Sequence, residues 1–110
     1  MISMKILWSP HAESLLDDIV IGISSALSVD EGLRWELKLR ETATDLADFP
    51  YMGSAIPPEC FHIAPENIDR LRQIFCGPYR IVYEPIADEI HILSIRHGRM
   101  LVAEYDTTWN

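Results

Sequence analysis

Residues 70–96 read RLRQIFCGPYRIVYEPIADEIHILSIR, and this segment is the most informative part of the chain about its architecture. It contains three runs rich in Ile, Val, Tyr and Phe, at residues 70–75, 79–84 and 89–96, a composition that favours β-strands. Only Cys-Gly-Pro and Pro-Ile-Ala-Asp separate the runs, and both linkers are short enough for hairpin turns. The segment therefore predicts a three-stranded antiparallel meander.

The first half of the chain predicts one strand followed by a helical hairpin. Residues 4–8 form a short apolar run, after which Ser9 can cap a helix and Pro10 can occupy its first turn. Ser28 and Glu31 have the spacing of a capping box at the start of a second helix. The apolar residues at helical spacing are Ala12, Leu15, Leu16, Ile19, Ile23 and Ala26 in the first helix, and Trp35, Leu39, Ala43 and Leu46 in the second. Because the connection is very short, we expect the two helices to pack antiparallel.

The predicted elements combine into a two-layer α+β fold. Residues 54–69 contain three of the seven prolines and no steady period, which predicts an irregular connection. We expect one domain, residues 1–110, with the helical hairpin on one face of the sheet and residues 4–8 at a sheet edge. The other face, including Val82 and Ile92, is expected to be partly apolar and uncovered, and such surfaces usually bind a partner.

The charge is unevenly distributed along the chain. The net charge of −8 argues against a broad nucleic-acid-binding surface. Residues 1–69 contain four basic and twelve acidic side chains, whereas residues 70–110 contain five of each. The five basic residues of the second part are all arginine: Arg70, Arg72, Arg80, Arg96 and Arg99. Because the guanidinium fork suits phosphates and carboxylates, we expect a functional site in this part.

The sequence offers no support for a metal, a cofactor or a membrane segment. Cys60 and Cys76 form no CxxC pair, and the four histidines show no ligand spacing. We therefore predict no metal site, no cofactor and two free thiols. No apolar run reaches the roughly 18 residues of a spanning helix, and no basic flank leads into a secretory core. We expect a cytoplasmic protein without a membrane partner.

Four segments resemble the RelE/ParE toxin superfamily, in order and over nearly the whole chain. ILWSPHA at residues 6–12 resembles the family's strand-to-helix junction, and LADFP at 46–50 resembles the end of its second helix. GPYRIVYE at 77–84 and ILSIRHGR at 92–99 resemble its central strand and its last strand with the following turn. The resemblance implies the toxin of a bacterial type II toxin–antitoxin module, held in a hetero-oligomer by a cognate antitoxin.

Two activities occur in this superfamily: ParE-like members poison DNA gyrase, and RelE-like members cut mRNA on the ribosome. For the ribonuclease branch the resemblance implies metal-independent catalysis by Arg80, Arg99 and Tyr105, with a ribose 2′-hydroxyl attacking the adjacent phosphate. No lysine follows Lys38 and the chain is strongly acidic, which disfavours a firm grip on RNA. We therefore predict a ParE-like toxin that binds gyrase or another macromolecule, and leave open whether it is an enzyme.

The site residues also have structural interpretations. In the ParE-like interpretation, the residues predicted to bind the target are Arg70, Arg72, Arg96 and His97. Arg80 can instead pair with Glu84 or Asp88, as many surface ions do. The turn at His97 can reflect a positive φ at Gly98. A further alternative is an inactive module that only binds the antitoxin.

Overall fold

The structure contains two helices packed on a five-stranded mixed sheet. The computed structural model describes residues 3–110, so residues 1 and 2 of the predicted domain lie outside the described part. The elements are β1 (Lys5–Trp8), α1 (Pro10–Ala26), α2 (Val29–Asp45), β2 (Ser54–Ala55), β3 (Arg72–Cys76), β4 (Tyr79–Ile86) and β5 (Glu89–His97), with short 3₁₀ helices at Pro58–Cys60, Ile68–Arg70 and Glu104–Asp106. The predicted α+β class is confirmed.

Both helices begin at the predicted caps. The Ser9 hydroxyl accepts a hydrogen bond from the Ala12 amide at 3.0 Å, which satisfies one of the free N–H groups of the first turn. The Ser28 hydroxyl accepts from the Glu31 amide at 3.1 Å. The Glu31 carboxylate does not close the capping box, because it binds the guanidinium of Arg34 instead.

The helical hairpin packs on one sheet face and forms the larger core, here called the helix-side cluster. Its buried residues are Ala12, Leu16, Leu39, Ala43, Leu46, Ile81, Tyr83, Ile90, Ile92 and Ile95. Most of the predicted helical stripes therefore point inward, as amphipathic packing requires. Ala26 was predicted to be buried but is exposed, as is the neighbouring Leu27, so the inward stripe ends before the tip of the hairpin.

The sheet has the strand order β1-β5-β4-β3-β2. β3, β4 and β5 form the predicted antiparallel meander, and β1 lies at the predicted edge, parallel to β5. β2 was not predicted, because its two residues are too few to leave a periodic signal in the proline-rich connection. The turn between β4 and β5 is only Ala87 and Asp88, because Pro85 and Ile86 belong to β4.

The prediction of an uncovered second sheet face was wrong. Val82 and Ile92 are 1% and 0% exposed. A register shift after Val82 places Ile92 on the helix side and leaves Leu93 on the other side. There a second core, the far-side cluster, is built from Ile56, Phe61, Leu71, Val82, Leu93 and Val102. The face is covered because the proline-rich connection and the C-terminal segment close over it, joined where Phe61 bridges to Val102.

Candidate functional site

Arg80 of β4 is a buried guanidinium with three neutral partners. Its Nε donates to Gln73 Oε1 at 2.9 Å and its Nη1 to the Met100 carbonyl at 2.9 Å. Nη2 lies 3.7 Å from Cys60 Sγ, and the group stacks 5.4 Å from the centre of the Phe75 ring. Arg80 forms no ion pair with the carboxylates of residues 3–110, although its side chain is only 7% exposed. The alternative interpretation, in which Arg80 pairs with Glu84 or Asp88, was wrong.

Arg96 of β5 lies directly across from Arg80 but has a charged partner. Its Nε donates to Asp106 Oδ2 at 2.7 Å, and the other oxygen of this carboxylate accepts from His11 Nε2, also at 2.7 Å. The Ala103 amide donates to Asp106 at 3.0 Å. The C-terminal segment is thereby attached both to the sheet and to the first turn of α1.

The surroundings of Asp106 stabilise its charged form. The side chain is 0% exposed, and burial alone would disfavour the carboxylate. The hydrogen bonds from Arg96, His11 and the Ala103 amide outweigh burial, so the pKa of Asp106 lies below its ordinary value of 3.8. The group is an ionised structural anchor at neutral pH.

His97 is the half-buried last residue of β5, and Arg99 is exposed in the turn that follows. Arg99 is exposed, and its side chain forms no ion pair within residues 3–110. Its backbone amide donates to His97 Nδ1 at 3.1 Å, while the His97 ring packs edge-on against Tyr79. The expected positive φ at Gly98 was wrong. Glycine is needed there for space, because a Cβ would lie 3.1 Å from the Phe75 ring and 3.2 Å from the Pro78 carbonyl.

Tyr105 lies in the C-terminal 3₁₀ helix and packs against the start of α1. It is 58% exposed, and its ring packs edge-on against His11, with the ring centres 4.7 Å apart. The structure gives its hydroxyl no hydrogen-bond partner within residues 3–110. Tyr105 therefore neighbours the Asp106 anchor, whereas Arg80 is bound among β3, the Cys60 segment and Met100.

Arg70 was predicted to begin the strand but ends the preceding 3₁₀ helix, whereas Arg72 begins β3, and the two arginines differ in their partners. Arg70 is paired with Glu84 at 3.2 Å, with 68% of its side chain exposed. Arg72 donates to the carbonyls of Tyr51 and Gly53 and stacks 5.1 Å from the Tyr51 ring, and its buried Nε has no partner among the described residues. Arg72 therefore attaches β3 to the segment that follows α2.

The predicted site residues do not form one cluster. The structure brings Arg80 and Arg96 opposite each other, and it places Arg99 in the turn that follows His97. Sequence reasoning missed Asp106 and His11, whose contact spans 95 residues, and Phe75, which was assigned only to a strand. Among residues 3–110, no three His, Cys, Asp or Glu side chains are grouped as metal ligands. No helix in the same region is long and apolar enough to cross a bilayer.

The outer side of α2 carries a row of exposed apolar side chains. Val29, Leu33 and Leu37 are spaced four residues apart and are 65%, 55% and 60% exposed. Residues at this spacing share one helix face. We call this set the α2 stripe. Exposed apolar side chains arranged together usually mark an interaction surface.

The fold has a close counterpart among solved structures. It is similar to a chain of the chromosomal ParDE TA system from P. aeruginosa, with a TM-score of 0.69 and 20% sequence identity, over 86% of this chain and 96% of that chain. No curated protein matches the sequence. The similarity defines the fold as that of a chain from a toxin–antitoxin system.

The sequence comparison is more specific. Residues 6–102 match the family described as ParE toxin of type II toxin-antitoxin system, parDE. Because this match covers most of the chain, the chain belongs to the ParE toxin family and is the toxin component of a type II toxin–antitoxin module. The resemblance noted in the sequence is confirmed.

Proposed function

We propose that this toxin arrests growth by binding a macromolecular target, with DNA gyrase as the first candidate. The observation that carries the proposal is the match of residues 6–102 to the ParE toxin family. Action on gyrase would take place in the cytoplasm. We further propose that a cognate antitoxin neutralises the chain by forming a hetero-oligomer with it.

The state of the three candidate catalytic residues supports binding rather than RNA cleavage. Arg80 is buried and its donors are directed to Gln73, Met100 and Cys60, so a phosphate would have to displace these contacts. Stabilising a transition state requires donors that are already aimed at the developing charge. Arg99 is exposed, but the His97 imidazole beside it accepts from the Arg99 amide and packs on Tyr79, and Tyr105 packs on His11.

The remaining predicted target contacts divide into two groups. Arg72 and Arg96 are bound within the fold, so we assign them the role of positioning β3 and the C-terminal segment. Arg70 and His97 stay candidate contacts because each presents surface to solvent. Arg70 is the weaker candidate because Glu84 already neutralises it.

Two assays on the same preparation test the proposal. The chain, made by cell-free synthesis, is added to gyrase with relaxed plasmid, and also to ribosomes stalled on mRNA for toeprinting. We expect inhibition of supercoiling and an unchanged toeprint. Ribosome-dependent cleavage with unaffected gyrase would establish the ribonuclease alternative. No effect in either assay, together with antitoxin binding, would indicate an inactive module.

A further inference from the structure

The end of the sheet where β3 passes into β4 carries an exposed apolar surface over a buried cation. Phe75 pairs with Arg80 across the two strands, and Arg80 donates to the Met100 carbonyl. The turn at Gly98 packs against Phe75 and brings Arg99 to the same end. We call Phe75, Arg99, Met100 and Leu101, with Arg80 beneath them, the Phe75 surface.

The side chains of the Phe75 surface have the composition of a binding hot spot. Phe75, Met100 and Leu101 are 48%, 50% and 52% exposed, and Arg99 is also exposed. Aromatic, methionine and arginine side chains are enriched in protein interfaces, whereas lysine is depleted. Gly98 lies close to Phe75, because a Cβ at this position would be only 3.1 Å from the ring.

The charge of this surface is positive although the chain as a whole is acidic. Arg80 and Arg99 lack ion pairs within residues 3–110, whereas Arg70, in the 3₁₀ helix that precedes β3, is neutralised by Glu84. Burying a cation without a carboxylate lowers the stability of the fold unless other groups compensate for the lost water. The Phe75 ring and the neutral acceptors around Arg80 compensate only in part. A partner carboxylate placed beside the Phe75 ring would add to this compensation at longer range, without displacing the Arg80 donors from their acceptors.

The number of cations favours a protein partner over nucleic acid. A protein that tracks a phosphate backbone typically neutralises several phosphates, roughly six to ten in well-studied cases. The Phe75 surface offers two guanidinium groups, and the surrounding chain has a net charge of −8. Two cations beside exposed apolar side chains instead match a compact acidic and apolar patch on a folded protein.

We propose that the Phe75 surface is where this toxin binds its target, a protein surface that presents carboxylates beside apolar side chains. This inference rests on the proposed function and adds the location and chemistry of the contact. Arg99 supplies the exposed charge and Phe75 the apolar contact. Arg80 supplies buried positive charge beneath the ring.

The test compares charge reversals at two exposed arginines. Arg99→Glu and Phe75→Ser alter the surface. Arg34→Glu changes the net charge as Arg99→Glu does, but on α2, where Arg34 pairs among residues 3–110 only with Glu31. Each protein is expressed from an inducible promoter, its folding is checked by thermal unfolding, and its inhibition of gyrase is measured. We expect the wild type and Arg34→Glu to stop growth. We expect Arg99→Glu and Phe75→Ser to permit growth and to weaken inhibition by about 30-fold, the loss of one hot-spot contact.

Growth arrest and gyrase inhibition separate this inference from the proposed function. If the wild type stops growth without inhibiting gyrase, the gyrase proposal fails, and the Phe75 surface stands if Arg99→Glu still relieves the arrest. If the wild type inhibits gyrase and folded Arg99→Glu inhibits it equally, the surface is refuted while the function stands. Loss of growth arrest in Arg34→Glu would also refute the Phe75 surface, because the net charge of the chain, and not the position of the arginine, would then determine toxicity. A wild type without either effect refutes both proposals.

A nucleic-acid partner is tested with a fluorescent single-stranded oligonucleotide. We expect no change in its anisotropy when the wild-type chain is added at physiological salt. Binding that Arg99→Glu abolishes would overturn the assignment of a protein partner.

Discussion

At the scale of single residues, the turn between β4 and β5 contains a conformation that its side chain disfavours. Ala87 has a φ of 53°, in the left-handed region where a Cβ crowds the backbone. We predict that Ala87→Gly raises the free energy of unfolding by about 0.5–1 kcal/mol, because relief of this strain exceeds the added entropy of the unfolded chain. Urea denaturation measures the change.

The matched control for Ala87→Gly is Ala26→Gly, at the exposed end of α1. There glycine relieves no strain, so it should lower the free energy of unfolding, by less than the roughly 0.5–1 kcal/mol that glycine costs in the middle of a helix. Equal destabilisation by both substitutions would show that Ala87 is not strained.

Asp106 is the residue whose charge contributes most clearly to stability. Because its pKa in the folded chain lies below the ordinary 3.8, its stabilising effect is present above that pH and is lost as the pH falls towards the lower folded value. We predict that Asp106→Asn lowers the free energy of unfolding at neutral pH by about 2–3 kcal/mol, through weaker bonds to Arg96 and His11. The difference in the free energy of unfolding between the wild type and Asp106→Asn should become smaller below pH 3.8.

Chemical denaturation at several pH values checks this prediction, with Asp18→Asn as the control. Asp18 is exposed on α1 and forms no ion pair within residues 3–110, so its substitution should have little effect. A difference between wild type and Asp106→Asn that stays constant down to pH 3 would mean that the carboxylate is not held ionised.

Sequence patterns located the arginines but not their partners. Arg80 and Arg96 could be assigned to strands because these strands have clear β composition. The contact between Arg96 and Asp106 depends on how the C-terminal segment folds back, and that segment shows no periodicity. Whether a guanidinium is free or internally bound is therefore a tertiary property.

At the scale of elements, the caps and apolar stripes were sufficient to predict both helices and the meander. These patterns did not predict the far-side cluster. The two segments that cover this sheet face are irregular and meet only in the folded chain, at Phe61 and Val102. The alternation of apolar and polar residues along a strand indicates which sheet face is apolar. It does not indicate whether other segments of the chain cover that face. Exposed apolar side chains lie instead on α2 and at the Phe75 surface.

The α2 stripe gives a prediction for the antitoxin. Leu33→Glu with Leu37→Glu places two charges on an exposed helix face, so the chain should fold and stay toxic. We expect this double variant to lose rescue by the antitoxin, because buried carboxylates without partners weaken an interface strongly. Growth is measured while the chain is co-expressed with each short reading frame that adjoins its gene.

Ser14→Glu with Ser25→Glu is the matched control for the stripe variant. Both serines are exposed on α1, and the same two charges are added outside the α2 stripe. Rescue should persist for this control. If the stripe variant is rescued equally well, the antitoxin binds elsewhere.

At the scale of the whole molecule, the negative charge is concentrated in one layer. The helical hairpin, Pro10–Ala26 and Val29–Asp45, contains eight carboxylates and three basic side chains, whereas Arg80 and Arg99 lie in β4 and in the turn after β5. This separation leaves the Phe75 surface positive within an acidic protein. It also means that like charges repel each other within the hairpin.

Screening this repulsion should stabilise the folded chain. Exposed charges interact over roughly 10 Å at about 0.1 M salt, and added salt shortens this range. We predict that raising NaCl from about 20 to about 300 mM raises the Tm by about 2–4 °C, equivalent to roughly 0.5 kcal/mol. In the double variant Asp17→Asn, Asp18→Asn, which removes two exposed charges from α1, the Tm at low salt should be higher and its rise smaller. A Tm that falls with salt in the wild type would mean that the ion pairs of Arg34 and Arg40 outweigh the repulsion.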